Sequence, residues 1–239
     1  IDESKTLFFL LEGSSWEWLL LYHCPKINRI AGYVHAFCRP DQVSLFRLIN
    51  TFSTIKNLEI LVSDEWSFQL IEEYCNVEKI KKVEPLRFSL SQIDKSINSK
   101  DIDILVLGGM DNDITRKMVN DIAEITIENE FDKPINIVFK PHPQNKFDIP
   151  LNLRGKIIFE DNRLLNDCIL SADRILVSGS SASCLDTLIY NKNTYIYLPN
   201  EFIDLCPIPY SERNIISNKR DLYEYLFSFS QLFNNYIKV

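Results

Sequence analysis

Two short segments of the chain carry side chains whose types and spacing suit phosphate chemistry. The first is Ser178-Gly179-Ser180-Ser181-Ala182-Ser183. It separates the apolar run Ile175–Val177 from a helically spaced set, Cys184, Leu185, Leu188 and Ile189. That pattern predicts a strand, a tight turn and a helix. The first N–H groups of a helix lack intrahelical partners, and the helix dipole favours negative charge there. A turn of small hydroxyl side chains and open amides therefore reads as a phosphate-binding turn. The competing reading is a plain N-cap, with Ser183 and Asp186 as a capping pair. The second segment is Lys140-Pro141-His142-Pro143. Its two prolines stiffen the backbone and remove two donors, which aims His142 in one direction. An imidazole so placed can donate to a phosphate or stabilise a departing one. The alternative is an ordinary loop histidine. The Ser-rich turn is neither a Walker A loop, for no Gly-Lys-Ser/Thr follows, nor the Gly-x-Gly-x-x-Gly dinucleotide fingerprint.

Further candidates follow other strand-like runs. Ligands of open parallel sheets bind outside the carboxyl ends of the strands. That rule gathers Glu12, His35, the pair Gly108-Gly109, His142, the Ser turn and Glu201. Glu12, between a strand and a helix start, could be a general base or a nucleophile, or only a carboxylate stabilised by the helix dipole. His35 is balanced between acceptor binding and a satisfied core histidine. Glu17, Asp64 and Glu65 read as helix caps.

The elements that must position these residues alternate along the chain. Thr6–Leu11 is a continuous apolar run, expected of a strand covered on both faces. Ser14 and Glu17 then have capping-box spacing. Arg29–His35 and Leu58–Val62 are the next strands, residues 36–56 are ambiguous, and Ser63 is the expected N-cap of a helix reaching Cys75. Residues 79–88 suggest a short edge strand running into a loop, and residues 89–100 a polar linker. Beyond it come strands near 102–107, 135–139, 156–159, 175–177 and 194–198. Helices are expected over 113–130, 163–171 and 219–233. The class is α/β with parallel sheets, in two lobes, residues 1–95 and 96–239.

Composition narrows the classes. With 46% hydrophobic residues in 239, the core can be sizeable without disulfide staples. A net charge of −7 argues against a nucleic-acid partner, which calls for a basic face. The six cysteines include no Cys-x-x-Cys pair and read as buried free thiols of a reducing cytosol. Three histidines without clustered partners give no metal signature. No apolar run reaches the ~18–20 residues of a membrane span, and no signal peptide is visible. The aromatic C-terminal stretch, from Tyr223 to Tyr236, is expected to pack across the two lobes, with membrane or partner contact as the alternative.

Lys140-Pro-His-Pro143 with Ser180-Ser181 resembles the second lobe of GT-B glycosyltransferases. More narrowly it is similar to bacterial enzymes of capsule, O-antigen and lipooligosaccharide synthesis that use CMP-activated sugars, of the Kdo and sialic-acid type. Glu12-Gly13 matches part of their acidic motif, whose first acidic position is Leu11 here. Glu12-Gly-Ser-Ser-Trp-Glu17, Gly32-Tyr33-Val34-His35 and Val83–Phe88 also look like a group of surface-carbohydrate biosynthesis proteins. The resemblance implies two Rossmann-like lobes. The second would hold the nucleotide sugar through Gly108, Gly109, Lys140, His142, Pro143, Ser178, Gly179, Ser180, Ser181, Ser183 and Glu201. It implies Glu12 and His142 as catalytic residues, Tyr33, His35 and Arg87 on the glycan-acceptor side, no cofactor and no metal. The implied setting is the cytoplasm, at the inner face of the membrane or in an assembly complex. The family's first lobe is longer than residues 1–95, so this lobe is expected to be incomplete. Three other readings stay open: a UDP-N-acetylglucosamine 2-epimerase-like enzyme, a CDP-glycerol-type phosphotransferase and a non-catalytic nucleotide-sugar-binding subunit.

Overall fold

A computed structural model describes residues 6–23, 27–36, 38–39, 41–84, 100–128, 135–145, 147, 157–160, 162–179, 181–190, 192–204, 206, 208 and 213–227. The chain divides into two compact units, Ile1–Ile93 and Asp94–Val239. Both are α/β with parallel sheets.

The first unit runs β1 (Thr6–Leu10), α1 (Ser15–His23), β2 (Arg29–Val34), α2 (Val43–Phe52), β3 (Leu58–Val62), α3 (Glu65–Tyr74) and β4 (Ile80–Lys82). Its four strands lie in the order in which they occur, all parallel. Right-handed crossovers in such an order put every helix on one face. The core agrees: Phe9, Leu11, Ile30, Val34, Leu58, Ile60 and Val62 share a face by register. They pack with Leu21 of α1, Leu45, Leu48 and Ile49 of α2 and Leu70 and Ile71 of α3.

On the other face Phe8 and Leu10 remain 51% and 44% exposed, so β1 is not covered on both sides as its apolar run suggests. That face also carries Glu59, buried at 5% exposure and paired with Arg29 of β2 at 2.6 Å and with Lys81 of β4. The ambiguous stretch resolves as α2. The N-cap of α3 is Asp64 rather than Ser63: its carboxylate accepts from the Ser67 amide at 2.7 Å.

The second unit runs β5 (Ile102–Leu107), α4 (Asn112–Glu128), β6 (Ile137–Lys140), β7 (Ile157–Phe159), α5 (Leu165–Ser171), β8 (Ala172–Ser178), α6 (Ser183–Ile189), β9 (Thr194–Tyr197), β10 (Asn214–Ile216) and α7 (Lys219–Phe227). The sheet order is β10-β9-β8-β5-β6-β7, all parallel. The chain starts at the centre, works outward to one edge, returns and works outward to the other. This is the 3-2-1-4-5-6 order of doubly wound, Rossmann-like sheets.

Residues of β5 and β8 alternate between two helix layers. Ile104, Val106 and Leu176 join a core with Ile114, Met118 and Ile122 of α4 and Leu222, Tyr225 and Leu226 of α7. Leu105, Leu107, Ile175 and Val177 face the opposite way and are equally buried. Burial on both sides explains their unbroken apolar runs. β10 has no counterpart in the sequence reading. The aromatic C-terminal stretch enters the second unit's core through Tyr225, whose ring lies 4.7 Å from that of Tyr195; residues after 227 lie outside the described ones.

Candidate functional site

The reversal of winding in the second unit falls between β5 and β8, where Leu107 pairs with Val177. One step further along, Gly108 leaves β5 beside Ser178, the last residue of β8. The neighbouring strands are β6, which runs into Pro141-His142, and β9, which runs into Leu198–Glu201. All are parallel, so Glu201, the Ser turn, Gly108-Gly109 and His142 line one sheet edge in that order. Gly108 permits the approach of the second segment: a Cβ there would stand 3.3 Å from the His142 amide nitrogen. Gly179 serves packing, since its Cβ would stand 2.8 Å from Leu198.

The amides of this edge are largely engaged. Gly108 N–H donates to the Lys140 carbonyl at 2.9 Å and Gly179 N–H to that of Tyr197 at 2.9 Å. Gly109 N–H donates to Thr115 Oγ1 at 3.0 Å, and Ser181 N–H to the Ser178 carbonyl at 2.9 Å. Ser183 N–H reaches Ser181 Oγ at 3.3 Å. α6 has seven residues, and its N-cap is Ala182, without a side-chain bond. The expected row of open amides is therefore reduced, and Ser183 is the first helical residue instead of the cap.

Ser178 is 1% exposed, and its Oγ has no partner among the described residues. It lies on the same sheet face as Tyr197, its register partner. His142 is half-buried, and its Nδ1 accepts from the Gln144 amide at 3.3 Å. In the neutral ring that places the proton on Nε2.

Three residues absent from the sequence reading hold this edge together. Asn145 Nδ2 donates to the carbonyls of Gly109 at 2.7 Å and Met110 at 2.9 Å, tying the β5 and β6 loops. Thr115 braces Gly109. Lys117 of α4 stands 3.3 Å from Asp121 and 3.7 Å from Glu201. Lys117 and Asp121 are visible in sequence only as an i, i+4 pair. Glu201 is exposed beside Lys117. Lys140 turns its ammonium to the Arg163 carbonyl, bracing the loop before α5. Pro143 is exposed, and Ser180 lies outside the described residues.

In the first unit, Glu12 follows β1 and His35 follows the adjacent β2. Glu12 Oε1 stands 3.1 Å from His35 Nδ1. The two atoms are at ion-pair distance without the alignment of a hydrogen bond, and the buried Nδ1 makes none among the described residues. The turn carrying Glu12 is held from beneath. Glu17 is fully buried, and its carboxylate accepts from the Glu12 amide at 3.0 and 3.1 Å and from the Gly13 amide at 2.9 Å. Gly13 has φ +85°, and a Cβ there would stand 2.5 Å from the Leu45 amide nitrogen. The β1–α1 turn thus rests on the start of α2. The turn therefore sets a carboxylate and an imidazole, both able to take or give a proton, side by side after adjacent strands. Tyr33 is buried, stacked on Phe8 at 6.2 Å, and Arg87 lies outside the described residues.

A hollow of about 630 Å³, lined by Val43, Phe46, Arg47, Asn50, Thr51 and Tyr74, opens along α2 and the end of α3 and includes none of these residues. Among the described residues no three His, Cys, Asp or Glu side chains converge as a metal site, and no helix is long and apolar enough to cross a membrane. No protein-family model matches the chain, and no curated protein is found to resemble it.

Proposed function

We propose that the second unit holds the phosphate of a nucleotide sugar and that the chain is a GT-B-type, metal-independent glycosyltransferase. The donor is a CMP-linked Kdo or nonulosonic acid and the acceptor a bacterial surface glycan, met at the inner face of the cytoplasmic membrane. The observation that carries this reading is the winding reversal of the six-stranded sheet. It brings the two segments suited to phosphate to one sheet end, beside the buried hydroxyl of Ser178, which has no partner among the described residues. Crevices at such reversals are where open α/β sheets bind ligands.

In this reading Ser178 and His142 contact phosphate oxygens. As the bond from the anomeric carbon to the phosphate oxygen breaks, negative charge collects on the departing CMP, and Nε2–H of His142 stabilises it. Glu12, with His35 beside it, is the first unit's candidate general base.

Binding is tested by thermal melting with CMP, UDP and GDP at equal concentration. CMP should give the largest upward shift, and Ser178→Ala should weaken CMP binding by about 10-fold. Preference for UDP would turn the assignment toward an epimerase. Turnover is tested with CMP-Kdo and CMP-N-acetylneuraminate as donors. His142→Ala should lower CMP release by about 10²-fold or more with the melting curve unchanged. Unchanged release in that variant removes His142 from the chemistry. CMP binding without release by the native chain would favour a non-catalytic subunit.

A further inference from the structure

Cys184 and Cys206 lie 22 residues apart in sequence, yet their sulfur atoms are 4.0 Å apart. They are not equivalent. Cys184 lies in the first turn of α6 and is buried at 1% exposure, while Cys206 is half-buried. The other described cysteines, Cys38, Cys75 and Cys168, are buried. The Cys206 amide donates to Asp204 Oδ1 at 3.0 Å. Asp204 is gripped by Arg213 NH1, 2.7 Å from each carboxylate oxygen. The loop after β9 therefore presents its thiol to the first turn of α6 with a guanidinium nearby.

We propose that Cys184 and Cys206 form a redox-active dithiol, with Cys206 as the thiol attacked first and Cys184 as the resolving thiol, closing to a disulfide in response to hydroperoxides. In the first step the Cys206 thiolate attacks a peroxide oxygen. The O–O bond breaks, hydroxide leaves, and Cys206 becomes a sulfenic acid. In the second step Cys184 sulfur attacks the sulfenic sulfur, the S–O bond breaks and water leaves. The sum is two thiols and one hydrogen peroxide giving one disulfide and two waters, with the peroxide reduced by the two electrons the thiols lose.

The unequal pair suits this division of roles. A hydrogen bond shared between the sulfurs, opposed by burial and aided by the Ile208 amide and Arg213, holds Cys206 below the ordinary thiol range. The same bond, together with burial, holds Cys184 well above it. Reaching the ~2.05 Å of a disulfide requires the sulfurs to close by about 2 Å. The bond would tie Cys206 to the first turn of α6, the helix that Ser183 begins. The inference needs no bound nucleotide and stands apart from the donor reading.

The test uses the full, reduced chain exposed to stepwise hydrogen peroxide, then blocked with N-ethylmaleimide and mapped without reduction. A peptide linking Cys184 to Cys206 is expected, along with an intact mass lower by two hydrogens and full reversal by dithiothreitol. The oxidised chain should melt about 5 °C higher, because the link closes a loop of the unfolded chain. In the reduced chain, iodoacetamide should modify Cys206 about 10-fold faster than any other described cysteine. In Cys184→Ser, dimedone should trap a sulfenic acid at Cys206. Oxidation that yields no link between these two sulfurs, or that proceeds from Cys184 in Cys206→Ser at the native rate, overturns the proposal.

Discussion

Gly13 shows how tightly single residues are specified at the Glu12 turn. Its φ of +85° lies in the left-handed region, and its missing Cβ leaves room for the Leu45 backbone. Gly13→Ala adds both a backbone penalty and a collision with main chain that has no rotamer by which to yield. The expected destabilisation is about 3 kcal/mol, read from urea unfolding followed by tryptophan fluorescence. Glu17 supports the same turn from below. Glu17→Ala strands the Glu12 and Gly13 amides and should cost about 2–4 kcal/mol in the same measurement. A variant as stable as the native chain would show that solvent replaces this carboxylate. Cys38 is a residue of the opposite kind. Burial, partly offset by the Ser67 hydroxyl, pushes its thiol up to about 12, so it packs as a small apolar side chain.

Elements are joined by a few buried polar links. In the first unit, Glu59 of β3 bridges β2 and β4. Hydrogen bonds first from Lys81 and then from Arg29 hold its carboxyl below the usual range, outweighing burial. A depressed folded value means that its stabilising effect is complete above the unfolded value, near 4.5, and fades as pH falls through the folded one. First-unit stability should therefore drop on acidification below that point, and Glu59→Gln should flatten the drop. Equal acid sensitivity in the variant would assign the effect to other carboxylates.

In the second unit, Tyr197 of β9 donates to Asp121 of α4 at 2.5 Å. Burial, chiefly, and Asp121 raise the phenol far above the ordinary tyrosine range, so it acts only as a neutral donor. Tyr197→Phe leaves Asp121, 8% exposed, short of a donor and should cost about 1–3 kcal/mol in urea unfolding followed by circular dichroism. The same link fixes the strand end that leads to Glu201.

At the scale of the whole molecule, the two units have separate sheets and separate cores. All three tryptophans, Trp16, Trp18 and Trp66, belong to the first. Tryptophan fluorescence should therefore follow the first unit alone, while far-ultraviolet circular dichroism follows both. The two urea transitions should not coincide, and CMP should move only the one silent in fluorescence. A single coincident transition would mean that the units unfold as one.

The strands were legible in the sequence wherever burial is symmetrical. Ile60–Val62 and Ile104–Leu107 are unbroken apolar runs within strands that are paired along both edges. The same rule misleads at Thr6–Leu11. An apolar run does not show which strand ends a sheet, and Phe8 and Leu10 are left half-exposed there. β10 escaped notice because three residues, Asn214–Ile216, carry too little periodicity; their pairing with β9 makes the strand. The cap of α3 shifted by one residue, since Ser63 and Asp64 are both suitable and only the reach to the Ser67 amide decides.

Residue chemistry at the candidate site was likewise local information: two prolines around a histidine, serines before a helix, a carboxylate after a strand. What those groups can still do was decided by tertiary structure. The amides of Gly108, Gly109 and Gly179 are taken by Lys140, Thr115 and Tyr197, which only sheet order and helix placement bring near. The hydroxyl of Ser178 is left without a partner among the described residues by the same packing. The placement of β8 beside β5, about seventy residues earlier in the chain, sets the point where the winding reverses. Strand adjacency is a long-range choice among many near-equivalent apolar runs, made by the packing of both helix layers at once, and no local pattern encodes it.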